Sequence, residues 1–230
     1  MPKALLITGP TSVGKTQLAF EIARRQRGEV INGDKFYFYK EFNLGTGVKD
    51  SISNTDVEKH LYQTLNPHDK VPDASEYKDL ASSAIDLIDK KSHLPIMEVY
   101  PFSYAKKISE EKTEIAMFGL LPSQRVNLED KIRQRIKTLL EEGLVSETEQ
   151  ALEKGYRNTF VMENAASYQP LIKVLDGLIS LDAAIDEMVQ LCLNREDEAS
   201  KRFKTINSIK WISHNSKDIE PSIKRILSWL

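Results

Sequence analysis

The chain has 230 residues, enough for one good core with at most a small attached subdomain. Apolar residues make up 40% and charged residues 29%, an ordinary globular balance, and a formal net charge of −2 supplies no global field to recruit nucleic acid or an anionic membrane. The single cysteine, Cys192, excludes an internal disulfide or a thiolate metal cluster, and its apolar run Met188–Leu193 reads it as a buried structural thiol.

In chain order, residues 3–8 (Lys-Ala-Leu-Leu-Ile-Thr) read as a buried strand and 15–27 as a helix with Leu18, Ala19, Ile22 and Ala23 on one face. The stretch Glu29 to Asp34 is a second strand ending in a carboxylate, Lys49 to Glu58 a loop, and Leu61 to Leu65 a third strand. Two prolines make Asn66 to Asp73 irregular. Residues 76–90 have helical spacing, while Pro95–Val99 and Glu114–Leu121 read as further strands. From Arg125 to Arg202 the pattern is almost wholly helical, with Leu128, Ile132, Ile136, Leu139 and Leu140 in phase. Alternating strands and helices predict an α/β fold: a P-loop NTPase-like parallel sheet flanked by helices, with a mostly helical C-terminal half. The division expected is a core over 1–124 and a helical part over 125–230 packed on it. The first apolar run is too short for a signal-peptide core or a membrane span, so a cytoplasmic protein is expected.

The chemistry lies first in Gly9-Pro10-Thr11-Ser12-Val13-Gly14-Lys15-Thr16, which fits G-x-x-x-x-G-K-[ST] between a strand and a helix. Glycines let backbone N–H groups wrap phosphate oxygens at a helix N-terminus. Lys15 adds a positive charge, and Thr16 offers a hydroxyl to Mg²⁺. An NTPase or kinase also needs an apolar strand ending in Asp. The best candidate, Leu94 to Val99, ends in Glu98-Val99 and runs on into Tyr100-Pro101, a poor match. The four histidines, His60, His68, His93 and His214, are scattered without partner spacing and receive no metal or catalytic role.

Gly9-Pro10-Thr11, Gly14-Lys15-Thr16, Asn32-Gly33-Asp34-Lys35 and Leu44-Gly45-Thr46-Gly47 together resemble the adenine isopentenyltransferases, a family of tRNA dimethylallyltransferases and of adenylate dimethylallyltransferases that make cytokinins. The likeness continues through His60-Leu61-Tyr62, Asn66-Pro67, Asp130 to Ile136, Glu142-Gly143-Leu144, Ser167-Tyr168-Gln169 and Ser200 to Phe203. The resemblance implies that the loop holds the diphosphate of dimethylallyl diphosphate rather than ATP. It assigns the base to Asp34, placed on a strand adjoining the P-loop strand. Lys15, Thr16, Mg²⁺ and Arg135 would offset charge growing on diphosphate, with Thr11 near its bridging oxygen. Thr46, Tyr168, Lys201 and Arg202 would join Asp34 in holding the acceptor.

Two departures stand out. The family's Gly-Gly turn is Val99-Tyr100-Pro101 here, which reshapes one pocket wall, and an adenine-reading Asp is replaced by Ala166. Only about twenty-five residues separate Tyr104 from Leu128, too few for the helical insertion with which the tRNA-modifying members grip their substrate. The expectation is therefore dimethylallyl transfer to the N6 amine of AMP, ADP or ATP, with small-molecule substrates as partners and tRNA less favoured. The alternatives are a tRNA adenine dimethylallyltransferase, a P-loop kinase of a small metabolite, and an inactive ligand-binding member.

Overall fold

The run Ala4-Leu5-Leu6-Ile7-Thr8 has no water-facing side, and in a computed structural model of the chain it forms a strand buried at every residue. The structure describes residues 3–10, 13–110, 115–122 and 128–230. In order they form β1 (Ala4–Thr8), α1 (Lys15–Gln26), β2 (Gly28–Gly33), a 3-10 turn (Phe36–Phe38), α2 (Lys49–Ile52), β3 (Lys59–His60), α3 (Ala74–Lys90), β4 (Leu94–Val99), α4 (Phe102–Ser109) and β5 (Ile115–Pro122). There follow α5 (Leu128–Glu141), α6 (Leu144–Glu153), α7 (Phe160–Asn164), α8 (Tyr168–Leu175), α9 (Leu181–Phe203), β6 (Ile209–His214) and α10 (Glu220–Leu227). The strands form one parallel sheet in the order β3-β2-β4-β1-β5-β6, the α/β architecture expected.

Side chains alternate across β1, so the sheet has two separate apolar faces. Leu5 and Ile7 pack with Leu18 and Ile22 of α1 and with Ile223 and Ile226 of α10. Ala4 and Leu6 turn to the other face, where α3, α4 and the C-terminal helices cover the sheet. Helix α3 starts one residue after Asp73, which accepts from Ser75 and Glu76 N–H while Glu76 returns a bond to the Asp73 N–H. That reciprocal cap is worth about 1 kcal/mol.

Three readings from the sequence change. The strand expected over Leu61–Leu65 does not form, because Leu61 and Gln63 take positive φ values of 64° and 50° that no strand accommodates; a two-residue strand, Lys59–His60, precedes that stretch. The segment after Arg202 adds β6, whose Ile209 and Ile212 are buried and which pairs with β5. Strand β2 does not adjoin β1: β4 lies between them, with Ile7 beside Glu98 and Asn32 on its other side. It is therefore β4 whose C-terminal end stands next to the phosphate loop. Among the described residues no helix is long and apolar enough to cross a membrane.

Candidate functional site

The C-terminal ends of β1, β2 and β4 converge on a cavity of about 750 Å³, roofed by α5 and α9. Open α/β sheets bind ligands at this end of their strands. At its floor Gly14 (φ 102°) makes the left-handed turn into α1, and that helix has no side-chain cap and no acid in its first turn. Its first N–H groups are left to an anion. Lys15 is buried, donates to the Pro10 carbonyl at 2.8 Å, and lies 5.1 Å from the centre of the Tyr100 ring. Tyr100 thus covers the lysine on that wall. The Thr16 hydroxyl donates to Glu98 Oε1. Thr11 and Ser12 lie outside the described residues.

Opposite the loop, Asn32 fixes Asp34. The Asp34 N–H donates to Asn32 Oδ1 at 2.7 Å, and Asn32 Nδ2 donates to the Asp34 and Leu61 carbonyls at 3.1 and 2.9 Å. Asp34 Oδ1 accepts from the Phe36 N–H at 2.9 Å and so caps the 3-10 turn. Burial lifts the Asp34 carboxyl above its ordinary range, against the Phe36 N–H, Lys15 and Arg195. Burial pushes the Lys15 ammonium down, against Glu98, Glu196 and Asp34, and it lifts Glu98, against Lys15 and Thr16. The site is a low-dielectric pocket in which acids and bases of opposite sign hold one another in place.

Arg135 reaches the cavity from α5, its Nη2 3.5 Å from Asp50 Oδ2. Ile132, Ile136, Leu139, Met188 and Cys192 form an apolar stretch of the wall. Cys192 is half-buried rather than sealed in the core, with burial pushing its thiol up. Thr46 lines the cavity, but its hydroxyl donates to the Phe42 carbonyl and accepts from the Val48 N–H at 3.3 Å. Tyr168 is fully buried off the cavity wall and donates to Glu147 at 2.7 Å. Lys201 and Arg202 are exposed on the last turn of α9, paired with Asp197 at 2.5 Å and Glu198 at 3.8 Å, and do not line the cavity. Arg195 and Glu196, two turns earlier on the same helix, do. The assigned acceptor residues Tyr168, Lys201 and Arg202 are therefore not at this cavity; the helix passes it before reaching Lys201.

Sequence reasoning also missed Glu98 and Glu147. Glu98 was set aside for lacking the Asp that ends a kinase strand, yet position decides its company. Glu147 carries no motif, and only its pattern of partners reveals it: its carboxylate accepts from the N–H groups of Asn43, Leu44 and Gly45 at 2.8, 2.9 and 2.9 Å.

Two of the histidines, scattered in sequence, converge on one buried carboxylate. Glu29, 1% exposed at the far end of the sheet, takes His60 Nε2 and His93 Nδ1 each at 2.6 Å and Lys91 Nζ at 3.0 Å. Burial raises the Glu29 carboxyl, but these three donors outweigh it and hold the group below its ordinary range. A carboxylate so held stabilises the fold above its unfolded-state value, and that contribution disappears as pH falls through the lowered one. Glu29→Gln is expected to cost about 2–3 kcal/mol at pH 7 and to flatten the acid limb of stability. Superimposable urea curves for the two proteins at pH 7 would refute this.

Residues 97–194 match the family model described as IPP transferase. A tRNA dimethylallyltransferase of Acetivibrio thermocellus is 24% identical, across 100% of this chain and 97% of the relative. Over the matched residues the chain is similar to the IPP transferases. A Petrotoga mobilis tRNA dimethylallyltransferase is likewise 24% identical over 99% of each chain. The fold superposes on a Staphylococcus epidermidis tRNA delta(2)-isopentenylpyrophosphate transferase with a TM-score of 0.90, covering 100% of this chain and 99% of that one at 18% identity. A eukaryotic dimethylallyltransferase described as acting on tRNA gives a TM-score of 0.76 at 16% identity, over 93% of this chain and 74% of that one. These relatives overturn the preference for free nucleotides over tRNA as partner, since each is named for tRNA. The length argument behind that preference was real but incomplete. The Acetivibrio alignment spans 306 positions against 230 residues here, so at least 76 positions of the relative face a gap. Shortness alone does not choose the acceptor.

Proposed function

We propose that this chain moves a dimethylallyl group from its diphosphate to the N6 amine of an adenine in tRNA, releasing diphosphate. One observation carries the reading: the P-loop lysine and a braced, half-buried carboxylate, Asp34, face the same cavity of about 750 Å³. A kinase could use the same pair, with the carboxylate taking a hydroxyl proton, so the choice of prenyl transfer leans on the relatives as well. The relatives' names supply the acceptor.

The N6 lone pair is delocalised into the purine ring, so the amine is a weak nucleophile. It attacks C1 of the dimethylallyl group as the C1–O bond to diphosphate breaks, and the bonding pair leaves with diphosphate. Asp34 accepts the hydrogen bond from the amine and then its proton. Lys15 and the first N–H groups of α1 stabilise the charge growing on the leaving oxygens, with Arg135 on the opposite wall. Ile132, Ile136 and Met188 give the allyl carbons an apolar surface and keep water from the developing cation. Mg²⁺ suits a wall where the Thr16 hydroxyl meets a buried carboxylate, and when bound it would neutralise part of the diphosphate charge. An adenine in a folded RNA must leave its stack to reach Asp34, so an unpaired loop base is the accessible target.

The protein should be incubated with Mg²⁺, labelled dimethylallyl diphosphate and, in separate reactions, unmodified tRNA, AMP or ATP. Label is expected in tRNA, on adenine N6. Label on AMP with none on tRNA would overturn the acceptor. Phosphate transfer from ATP without any prenyl product would overturn the reaction.

A further inference from the structure

Glu98 moves no proton in the transfer just described, and its strand stands closer to the phosphate loop than Asp34's does. It lies beside Ile7 in the sheet, two residues before the loop begins at Gly9. It is 5% exposed, with Oε1 occupied by the Thr16 hydroxyl, while Oε2 makes no hydrogen bond of good geometry among the described residues and the buried Tyr62 hydroxyl acts on the same carboxylate. Leaving a buried carboxylate oxygen poorly paired is costly. Tyr62 offers that oxygen one poorly aligned donor, and a cation arriving with the ligand would be a stronger partner.

Charge says what kind of partner. Asp34, Glu98 and Glu196 all face the cavity around Lys15, with Arg135 and Arg195 on its other walls. A diphosphate settling on Lys15 and Thr16 would come against the Glu98 carboxylate, and two anions in a buried site repel strongly. A divalent cation between them converts that repulsion into two attractions. We infer that Glu98 and the Thr16 hydroxyl form a divalent-cation site through which the diphosphate enters the loop. The Thr16 oxygen can face a cation with its lone pairs while its proton still goes to Glu98 Oε1. One carboxylate, one hydroxyl, phosphate oxygens and retained waters make the hard, all-oxygen set that Mg²⁺ takes. Strand position recreates the arrangement of a P-loop hydroxyl and a strand-end carboxylate, with Glu in place of Asp.

The inference rests on the loop holding a diphosphate, not on prenyl transfer. The competing role is a counter-charge that merely holds Lys15 and Thr16 in an empty loop. Titration with Mn²⁺, followed by its paramagnetic resonance, separates them when run with and without inorganic pyrophosphate, and with no prenyl donor or tRNA present. The wild-type chain is expected to bind Mn²⁺ tightly only with pyrophosphate. Glu98→Gln should lose about 10–100-fold in Mn²⁺ affinity, while metal-free pyrophosphate binds as well or better because a negative charge has gone. Glu98→Asp should keep most of the Mn²⁺ binding. Unchanged Mn²⁺ affinity in a folded Glu98→Gln protein overturns the site. So does wild-type protein that binds pyrophosphate without recruiting Mn²⁺, a result independent of whether any variant folds. Failure to bind pyrophosphate at all would remove the loop assignment as well, which distinguishes the two failures.

Discussion

Asp34→Ala is expected to lower prenyl transfer by about 10²–10⁴-fold while leaving pyrophosphate affinity within a few fold of wild type. The separation follows from where the two groups stand. Lys15 and Thr16 open α1 beyond the end of β1, Asp34 follows the end of β2, and β4 lies between those two strands. Removing the carboxylate takes away the proton acceptor without touching the anion's donors. It also removes the acceptor for the Phe36 N–H, a loss worth about 1 kcal/mol of local stability. Asp34→Asn separates the two consequences, because its amide oxygen can still cap the 3-10 turn but cannot take a proton. The pH profile gives a second readout. Burial holds the Asp34 carboxyl above its ordinary value, and only the ionised form is a base. As pH falls through that raised value, kcat/KM should drop, on an acid limb lying above the ordinary aspartate range, and Asp34→Asn should erase the limb. Wild-type turnover in Asp34→Asn would remove Asp34 from the base role.

What could be read in the sequence follows from how far each feature reaches. A phosphate loop is contiguous by necessity, since one turn must supply several N–H groups and a lysine, so Gly9 to Thr16 declared itself. The strands declared themselves too: a parallel sheet covered on both faces needs runs such as Leu5-Leu6-Ile7. Strand order did not, because no local preference says that β4 lies between β1 and β2. That one insertion is why the sequence could not place Glu98 beside the loop: its neighbours are Ile7 and Asn32, 91 and 66 residues away in the chain. Helix residues failed for a related reason. A basic pair such as Lys201-Arg202 has the right chemistry, but α9 runs 23 residues and only the turn at Arg195-Glu196 reaches the cavity. Tyr168 was in the right neighbourhood for another purpose: a buried aromatic with one polar atom finds a partner for it, here Glu147.

That partnership carries the other large effect, Glu147→Ala. The carboxylate binds three consecutive backbone N–H groups, Asn43 to Gly45, and the Tyr168 hydroxyl, joining α6 and α8 to the loop that brings Leu44, Gly45 and Thr46 to the cavity. Gly45 is required there: a Cβ would fall 2.3 Å from the Tyr168 ring. Hydrogen bonds to a charged group contribute about 1.5–3 kcal/mol each, and water can replace some of them because Glu147 is only half-buried. The net loss expected is about 3–4 kcal/mol in urea unfolding, against about 1 kcal/mol for Tyr168→Phe, which deletes one donor. The functional loss should be one-sided. The freed loop forms the wall opposite the phosphate floor, so KM for tRNA should rise while pyrophosphate binding stays unchanged. Because Glu147 and Tyr168 share a hydrogen bond, the double variant should fall short of the sum of the two singles by about 1 kcal/mol. Strict additivity would show that the tyrosine is packing alone. Equal losses of tRNA and pyrophosphate binding would show that the carboxylate holds the whole fold rather than this wall.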